Sequence, residues 1–204
     1  MNNSVANTGR LAWAALRMLL VLTVVTGILY PLAVTGIAQA FFHDKANGSV
    51  VEAGGKEVGS QLIGQRWDLP GTDKPDPTWF QGRPSNSGYD PLATGSSQLG
   101  ASDPRLVKAV KAAKRQVAEF NGVPESKVPV DAVTGSASAI DPDISPAYAD
   151  LQVQRVARAN GLTAARVQKL VDDHTQGRTA GFLGEPRVNV LDLNIALKEL
   201  ADQS

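Results

Sequence analysis

Apolar residues fall into two regimes along this chain. Residues 18–42 carry no Asp, Glu, Lys, Arg or His. At the rise of a helix that run extends about 37 Å, more than the roughly 30 Å hydrocarbon core of a bilayer. Beyond it, apolar positions recur at helical spacing and are punctuated by capping residues. Ser102, Asp103 and Pro104 open a helix whose apolar face is Leu106, Val107, Val110, Val117 and Phe120, and Asn121-Gly122 closes it. Ser145-Pro146 opens a second, with Ala149, Val153, Val156 and Ala157 on one side and an end at Asn160-Gly161. Thr163 caps a third, with Leu162 placed to staple onto Val167 and Leu170. Asn189, followed by Asp192, opens a last helix bearing Leu193, Ala196, Leu197 and Leu200, with a strand expected at 188–190 just before it.

Two stretches between the long run and these helices read differently. Residues 49–52 and 60–63 suggest short strands flanking a Gly54-Gly55 turn. Residues 81–102 are dense in Gly, Ser, Pro and Asn and lack apolar periodicity, so they read as a long loop. The pattern is α+β, with strands early and most helices late. The expected organisation is a single N-terminal transmembrane helix followed by one extracytoplasmic α+β domain. Residues 1–11 form a short cytoplasmic N-terminus, 12–42 the anchor helix and 43–204 the domain.

Charge sets the expected orientation. Arg10 and Arg17 precede the run, and Asp44 and Lys45 follow it and cancel. Positive charge stays cytoplasmic, which puts the N-terminus inside and the domain outside, in a single-pass protein of the cell membrane. A cleaved signal peptide is the rival reading, because Ala38-Gln39-Ala40 resembles a cleavage site; the run is longer than the roughly 7–15 apolar residues of such peptides. Within the run, Thr23, Thr26, Gly27, Tyr30 and Val34 form a smaller, more polar stripe. Thr23 and Gly27 are a small-xxx-small pair suited to a partner helix. Pro31 deprives the Gly27 carbonyl of its helical donor and is expected to kink the helix.

The polar part holds all 20 acidic residues and all basic ones except Arg10 and Arg17, so its charge nearly balances, and no nucleic-acid partner is implied. The absence of cysteine excludes disulfides and thiolate metal sites. Two histidines are present. His43 sits at the membrane exit, and His174 follows Asp172-Asp173 at a helix end, where it suits the helix dipole. Gly54-Gly55-Lys56 is no phosphate loop, since Val50 stands where a Gly is required and Glu57 where a Ser or Thr is. Asp141-Pro142-Asp143 hints at calcium, but Pro146 stands where an EF-hand needs Gly. No catalytic set and no metal site emerge. Arg83, in Gly82-Arg83-Pro84-Ser85, is a candidate for pairing with a partner carboxylate or for simple solvation. Gly184-Glu185-Pro186-Arg187 reads as a turn with opposite charges.

Several segments are more specific. YPLAVTGIAQ from Tyr30, GSQLIGQ from Gly59, WFQGRPSN from Trp79, VPVDAVTGSASAIDPDISPAYADLQVQRVARANG from Val128 and GFLGEPRVNVLDLNIAL from Gly181 occur in order. Together they resemble the KdpC family, the C subunit of the Kdp-type potassium-transporting ATPase, over residues 11–200. Tyr89-Asp90-Pro91 replaces the family's Tyr-Asn-Pro, and Thr94-Gly95-Ser96-Ser97-Gln98-Leu99 its Ser-Gly-Gly-Ser-Asn-Leu.

The resemblance implies an accessory subunit of an ATP-driven, high-affinity potassium uptake complex. Its partners would be a channel-like potassium subunit, a P-type ATPase subunit and a very small membrane subunit, besides membrane lipid. It implies a catalytic chaperone that supports assembly and raises the ATPase subunit's affinity for ATP, with no tightly bound cofactor of its own and with ATP met, if at all, through the complex. Thr23, Gly27, Tyr30 and Arg83 are the expected partner contacts. By resemblance Gln152 is linked to nucleotide. The charge rule puts Gln152 outside, whereas ATP is inside, so the alternative for Gln152 is a polar helix position facing a loop or a subunit. The alternative for the whole chain is a membrane-anchored extracellular binding domain with no pump partner.

Overall fold

The computed structural model describes residues 3–97 and 99–203, with side-chain burial described from residue 7. Gln98, one of the substituted family positions, lies outside the described residues, as do Met1, Asn2 and Ser204. The chain divides into two units, Met1–Ser49 and Val50–Ser204.

The first unit is helical. Helix α1 (Asn3–Val24) runs through a π turn (Val25–Leu29) into α2 (Tyr30–Phe41), and a short α3 (His43–Ala46) follows. Asn7–Phe41 is apolar and long enough to cross a membrane. The interruption expected at Pro31 takes the form of the π turn immediately before it. There the Tyr30 N–H reaches back to the Val25 carbonyl, one residue further than in an α-helix. Thr26 Oγ1 donates to the Leu22 carbonyl at 2.7 Å. Ala38, Gln39 and Ala40 all lie within α2.

The second unit begins with a hairpin of β1 (Val50–Ala53) and β2 (Lys56–Ser60). Gly54 and Gly55 both have positive φ, 60° and 74°, as a two-residue hairpin turn requires. That turn corrects the expected second strand. Pairing resumes directly after two residues, so the strand is 56–60 and not 60–63. Residues 61–63 turn away instead, with the Ile63 N–H on the Ser60 carbonyl at 3.2 Å.

The expected helices are present. Helix α4 (Pro104–Asn121) is capped by the Asp103 side chain on the Arg105 N–H and ends at Gly122 with φ 67°. Ser145 caps α5 (Pro146–Ala159), Thr163 caps α6 (Ala164–His174) and Asn189 caps α7 (Val190–Asp202). The core forms among α5, α6 and α7, from Ala149, Val153, Val156, Val167, Val171, Leu193 and Leu197, with Phe80 and Val188 inserted. A second small sheet was not expected. Strands β3 (Asp143–Ile144), β4 (Thr175–Gln176) and β5 (Arg187–Asn189) pair antiparallel in the order β3-β5-β4. The strand before α7 is therefore 187–189, one residue earlier than expected.

Residues 81–102 form no regular element, yet they pack against residues 134–141. Ser85 Oγ donates to the Ala139 carbonyl at 2.6 Å, and the Gly95 N–H to the Ser138 carbonyl at 3.0 Å. Tyr89, held at φ 64°, turns its ring inward and donates its hydroxyl to the Arg83 carbonyl at 2.6 Å. Burial pushes that phenol well above its usual pKa. Gly64 and Gly82 make the space: a Cβ on Gly64 would collide with the Tyr89 ring, and one on Gly82 with the Tyr89 hydroxyl.

We expect Gly82→Ala to destabilise the chain by about 1–3 kcal/mol through this overlap. Adding Tyr89→Phe, which removes the atom struck, should restore part of the loss. Thermal melting of the detergent-solubilised chain reads both; a double variant no better than Gly82→Ala would show that the hydroxyl is not the obstacle.

Candidate functional site

Residues 76–79 make a turn, with the Trp79 N–H on the Asp76 carbonyl at 3.4 Å, and lead into Phe80 and Gln81, which cross the domain and belong to no sheet. At Phe80 and Gln81 the N–H and C=O of one residue point to one side and those of the next to the other, as in a strand. Both sides are met by side chains. The Phe80 N–H donates to Asn194 Oδ1 at 2.9 Å, and Asn194 Nδ2 donates to the Phe80 carbonyl at 3.0 Å. The Gln81 N–H donates to Gln152 Oε1 at 2.7 Å, and Gln152 Nε2 to the Gln81 carbonyl at 3.1 Å. An amide side chain carries one acceptor and a donor pair, so each copies the two-bond contact of a neighbouring strand. The remaining carbonyls are taken in turn. Arg155 Nη1 donates to Pro77 at 2.6 Å and Trp79 at 3.0 Å, and Asn160 Nδ2 to Thr78 at 2.8 Å.

These groups are buried. Gln152 is 0% exposed, Asn194 1%, Asn121 3% and Arg155 5%. Helical spacing places Gln152 and Arg155 on one face of α5, and Asn160 is its C-terminal cap. Arg155 completes the network. Its Nη2 donates to Gln152 Oε1 at 2.7 Å and its Nε to Asn121 Oδ1 at 2.9 Å, and its guanidinium lies 4.4 Å from the centre of the Phe120 ring. Its listening partners are thus carbonyls, amides and a ring face, the last a cation–π contact. Burial pushes its pKa down to about 10, partly countered by Tyr148 and Asp76.

Around this clamp the other sequence-derived candidates find partners. Arg83 meets a carboxylate of its own chain: Nη1 lies 2.8 Å from Asp141 Oδ2, and Nη2 donates to the Thr134 carbonyl at 3.3 Å. Asp141 Oδ1 accepts from the Asp143 N–H at 3.0 Å, which makes Asp141-Pro142-Asp143 a turn into β3. Asp143 pairs with Arg187 at 3.1 Å, and burial raises its pKa. Glu185 pairs with Arg178 at 2.7 Å, so the two charges of the 184–187 turn find separate partners. His174 Nδ1 lies 2.8 Å from the Leu170 carbonyl in the last turn of α6. Among the described residues no group of three His, Cys, Asp or Glu is placed to hold a metal. In the helical unit Thr23, Gly27 and Tyr30 are exposed, and a Cβ on Gly27 would meet nothing within 4 Å.

Two clefts flank the clamp. One, of about 350 Å³, is lined by Arg66, Trp67, Gln81, Arg83 and Tyr89. The other, of about 460 Å³, is lined by Val58, Trp67, Trp79, Leu191, Ile195 and Lys198. Trp67 and Trp79 pack with ring centres 5.4 Å apart and planes tilted by 45°. Sequence reasoning singled out Gln152 but missed Asn194, Arg155, Asn121 and Asn160. The available signal was their position: Asn194 sits between Leu193 and Leu197, and Arg155 between Val153 and Val156, inside apolar stripes where a polar residue needs a buried partner.

A helix of membrane-crossing length joined to one small α+β domain, whose buried polar side chains hold its own backbone, has the build of a single-helix membrane subunit. The family model described as K+-transporting ATPase, c chain, matches residues 12–199. Similar proteins called potassium-transporting ATPase KdpC subunit occur in Streptomyces avermitilis, 57% identical over 100% of both chains, and in Streptomyces coelicolor, 56% identical over 98% of this chain and 97% of the relative. One from Mycobacterium tuberculosis is 47% identical over 91% of this chain and 96% of its own. The chain belongs to the KdpC family and is an accessory subunit of the Kdp potassium uptake complex.

The clamp predicts a graded loss on truncation. Gln152→Ala leaves the Gln81 N–H and C=O and one Arg155 nitrogen without their partner, and Asn194→Ala does the same to Phe80. Each should cost about 2–4 kcal/mol in melting of the full chain. Gln154→Ala, at an exposed position of the same helix, should stay within about 0.5 kcal/mol. Similar losses at Gln152 and Gln154 would remove the clamp as the cause.

Proposed function

We propose that this subunit crosses the membrane once, with its N-terminus in the cytoplasm and its folded domain outside, and that it acts on the pump without touching nucleotide. Its partners are the channel-like potassium subunit, the P-type ATPase subunit and the very small membrane subunit. The exposed Thr23, Gly27 and Tyr30 of the anchor meet a partner helix, and Arg83, 25% exposed and paired with its own Asp141, is a further partner contact. The subunit is not itself catalytic. It supports assembly, and as a catalytic chaperone it raises the ATPase subunit's affinity for ATP indirectly.

One observation carries the indirect reading. Both ends of the Gln152 amide are occupied by Gln81 and Arg155, and the residue has no exposed surface. For Gln152 to bond an adenine edge or a ribose, the clamp on residues 77–81 must open. The placement of Arg10 and Arg17 before the apolar run, with one crossing after them, supports the same separation from cytoplasmic ATP.

Topology is open to a direct check because the chain has no cysteine. A Ser126→Cys variant, at an exposed position, should react with an impermeant thiol reagent in intact, wall-stripped cells. Labelling only after the membrane is opened would reverse the orientation.

In the assembled pump, Gln152→Ala should reduce recovery of the complex at least as much as its apparent ATP affinity. Normal recovery and normal potassium dependence with weakened ATP affinity alone would instead favour direct nucleotide contact.

A further inference from the structure

The near-balanced charge of the domain conceals a segregation. Of the residues in α4, Arg105, Lys108, Lys111, Lys114 and Arg115 are basic, and Glu119 is the only carboxylate. Leu106, Val110 and Val117 turn toward the domain and are partly buried, with Ala118 fully so. At the helical angle of 3.6 residues per turn, Lys108, Lys111 and Arg115 fall on the opposite face, and all three are exposed. Of the basic residues in α4 only Arg105 makes an ion pair among the described residues, with its own cap Asp103. Lys108, Lys111 and Arg115 also line a shallow depression of about 550 Å³ together with Ser102, Pro104 and Val107. Val107 is 44% exposed there, so the depression has an apolar component beside three unpaired cations.

We propose that this face of α4 rests on anionic phospholipid headgroups. The inference builds on the membrane-spanning reading given above. Charge complementarity selects an anionic surface, and the chain's own connectivity selects the lipid. Three residues separate the end of α3 at Ala46 from the start of β1 at Val50. So short a link holds the domain at the bilayer, where headgroups are present at high effective concentration and the encounter needs no second protein. A negatively charged leaflet attracts Lys and Arg within a Debye length of its surface, and the attraction fades with salt. Lys108, Lys111 and Arg115 repeat at three and four residues, so one rigid helix face offers all three together. The contact would orient the domain on the membrane before or during docking with the other subunits.

The experiment uses the full chain reconstituted into vesicles of phosphatidylcholine alone or with about a quarter phosphatidylglycerol. A Ser102→Cys variant, at an exposed position beside the face, carries a fluorophore, and a small fraction of lipids carries a headgroup quencher. Quenching should be about threefold stronger in the anionic vesicles, and fall to the neutral level in about 0.5 M salt. The same fall should follow Lys108→Glu, Lys111→Glu and Arg115→Glu combined. These residues lie outside the core, so the melting temperature of the triple variant should stay near that of the parent.

Flotation after alkaline extraction separates the two readings. A chain that fails to float with either vesicle overturns the membrane anchor itself. A chain that floats with both, but is quenched equally in both, overturns only the lipid contact of α4. If quenching is equal and the triple variant also loses the other pump subunits on purification, the face serves an acidic protein surface and the proposal is overturned in that partner's favour.

Discussion

Five consecutive backbone carbonyls, from Pro77 to Gln81, run through the domain without a neighbouring strand. Buried peptide groups need partners, and these carbonyls lie outside any helix or sheet that would supply them. Side chains on α5 and α7 supply them from both sides. The rest of the arrangement follows from that requirement. Phe80 enters the core because its backbone is held on the α7 side, and Gln152 and Arg155 occupy an otherwise apolar helix face because Gln81, Trp79 and Pro77 need donors or acceptors there. Asn121 and Phe120, at the end of α4, then secure Arg155 itself. A loop, three helices and the core are therefore coupled through a few hydrogen bonds in a dry interior, where each one lost leaves a buried group unpaired.

This constraint changes what a glutamine at position 152 can be taken to do. An amide with no exposed surface and every strong bond directed inward acts by setting the path of residues 77–81. That path leads directly to Arg83 and Tyr89, and it places Trp79 against Trp67 at the edge of the larger cleft. Loss of Gln152 would be felt at the domain surface through those residues. An effect on ATP affinity in the pump then needs no nucleotide at this site. It needs only that the surface shaped by the clamp contacts a partner differently in two states of the transport cycle, which is the condition for coupling between distant sites.

The sequence made the helical half legible because the signals were local. Asp103, Ser145, Thr163 and Asn189 each cap the helix their spacing announced, and the apolar run is a helix of membrane-crossing length. The early hairpin was half legible: the Gly-Gly turn was read, but not its length rule, which starts β2 at Lys56. Strands β3 and β4 have two residues each, too few for any alternation to appear. The clamp was invisible for another reason. Asn194 and Phe80 lie far apart in sequence, as do Gln152 and Gln81, and nothing local marks a peptide segment as one that will lack a strand partner. The polar residues interrupting apolar faces were the one trace it left.

A domain built this way divides its polar residues into two kinds. Gln152, Arg155, Asn194 and Asn121 are committed internally, and their chemistry is unavailable to any partner while the fold persists. What remains for recognition is the exterior: the Thr23, Gly27 and Tyr30 face of the anchor, the two clefts beside the clamp, and the unpaired cations of α4. The internal set fixes where the cleft-lining residues stand, and α4 shares in that fixation through Asn121 and Phe120 at one end while its basic face extends outward at the other. A force applied to the outer face of α4 is thus carried by a rigid helix to the residues that hold Arg155, and from there to the segment that forms both clefts. The fold thus links the basic face of α4 to the two clefts through Phe120, Asn121 and Arg155.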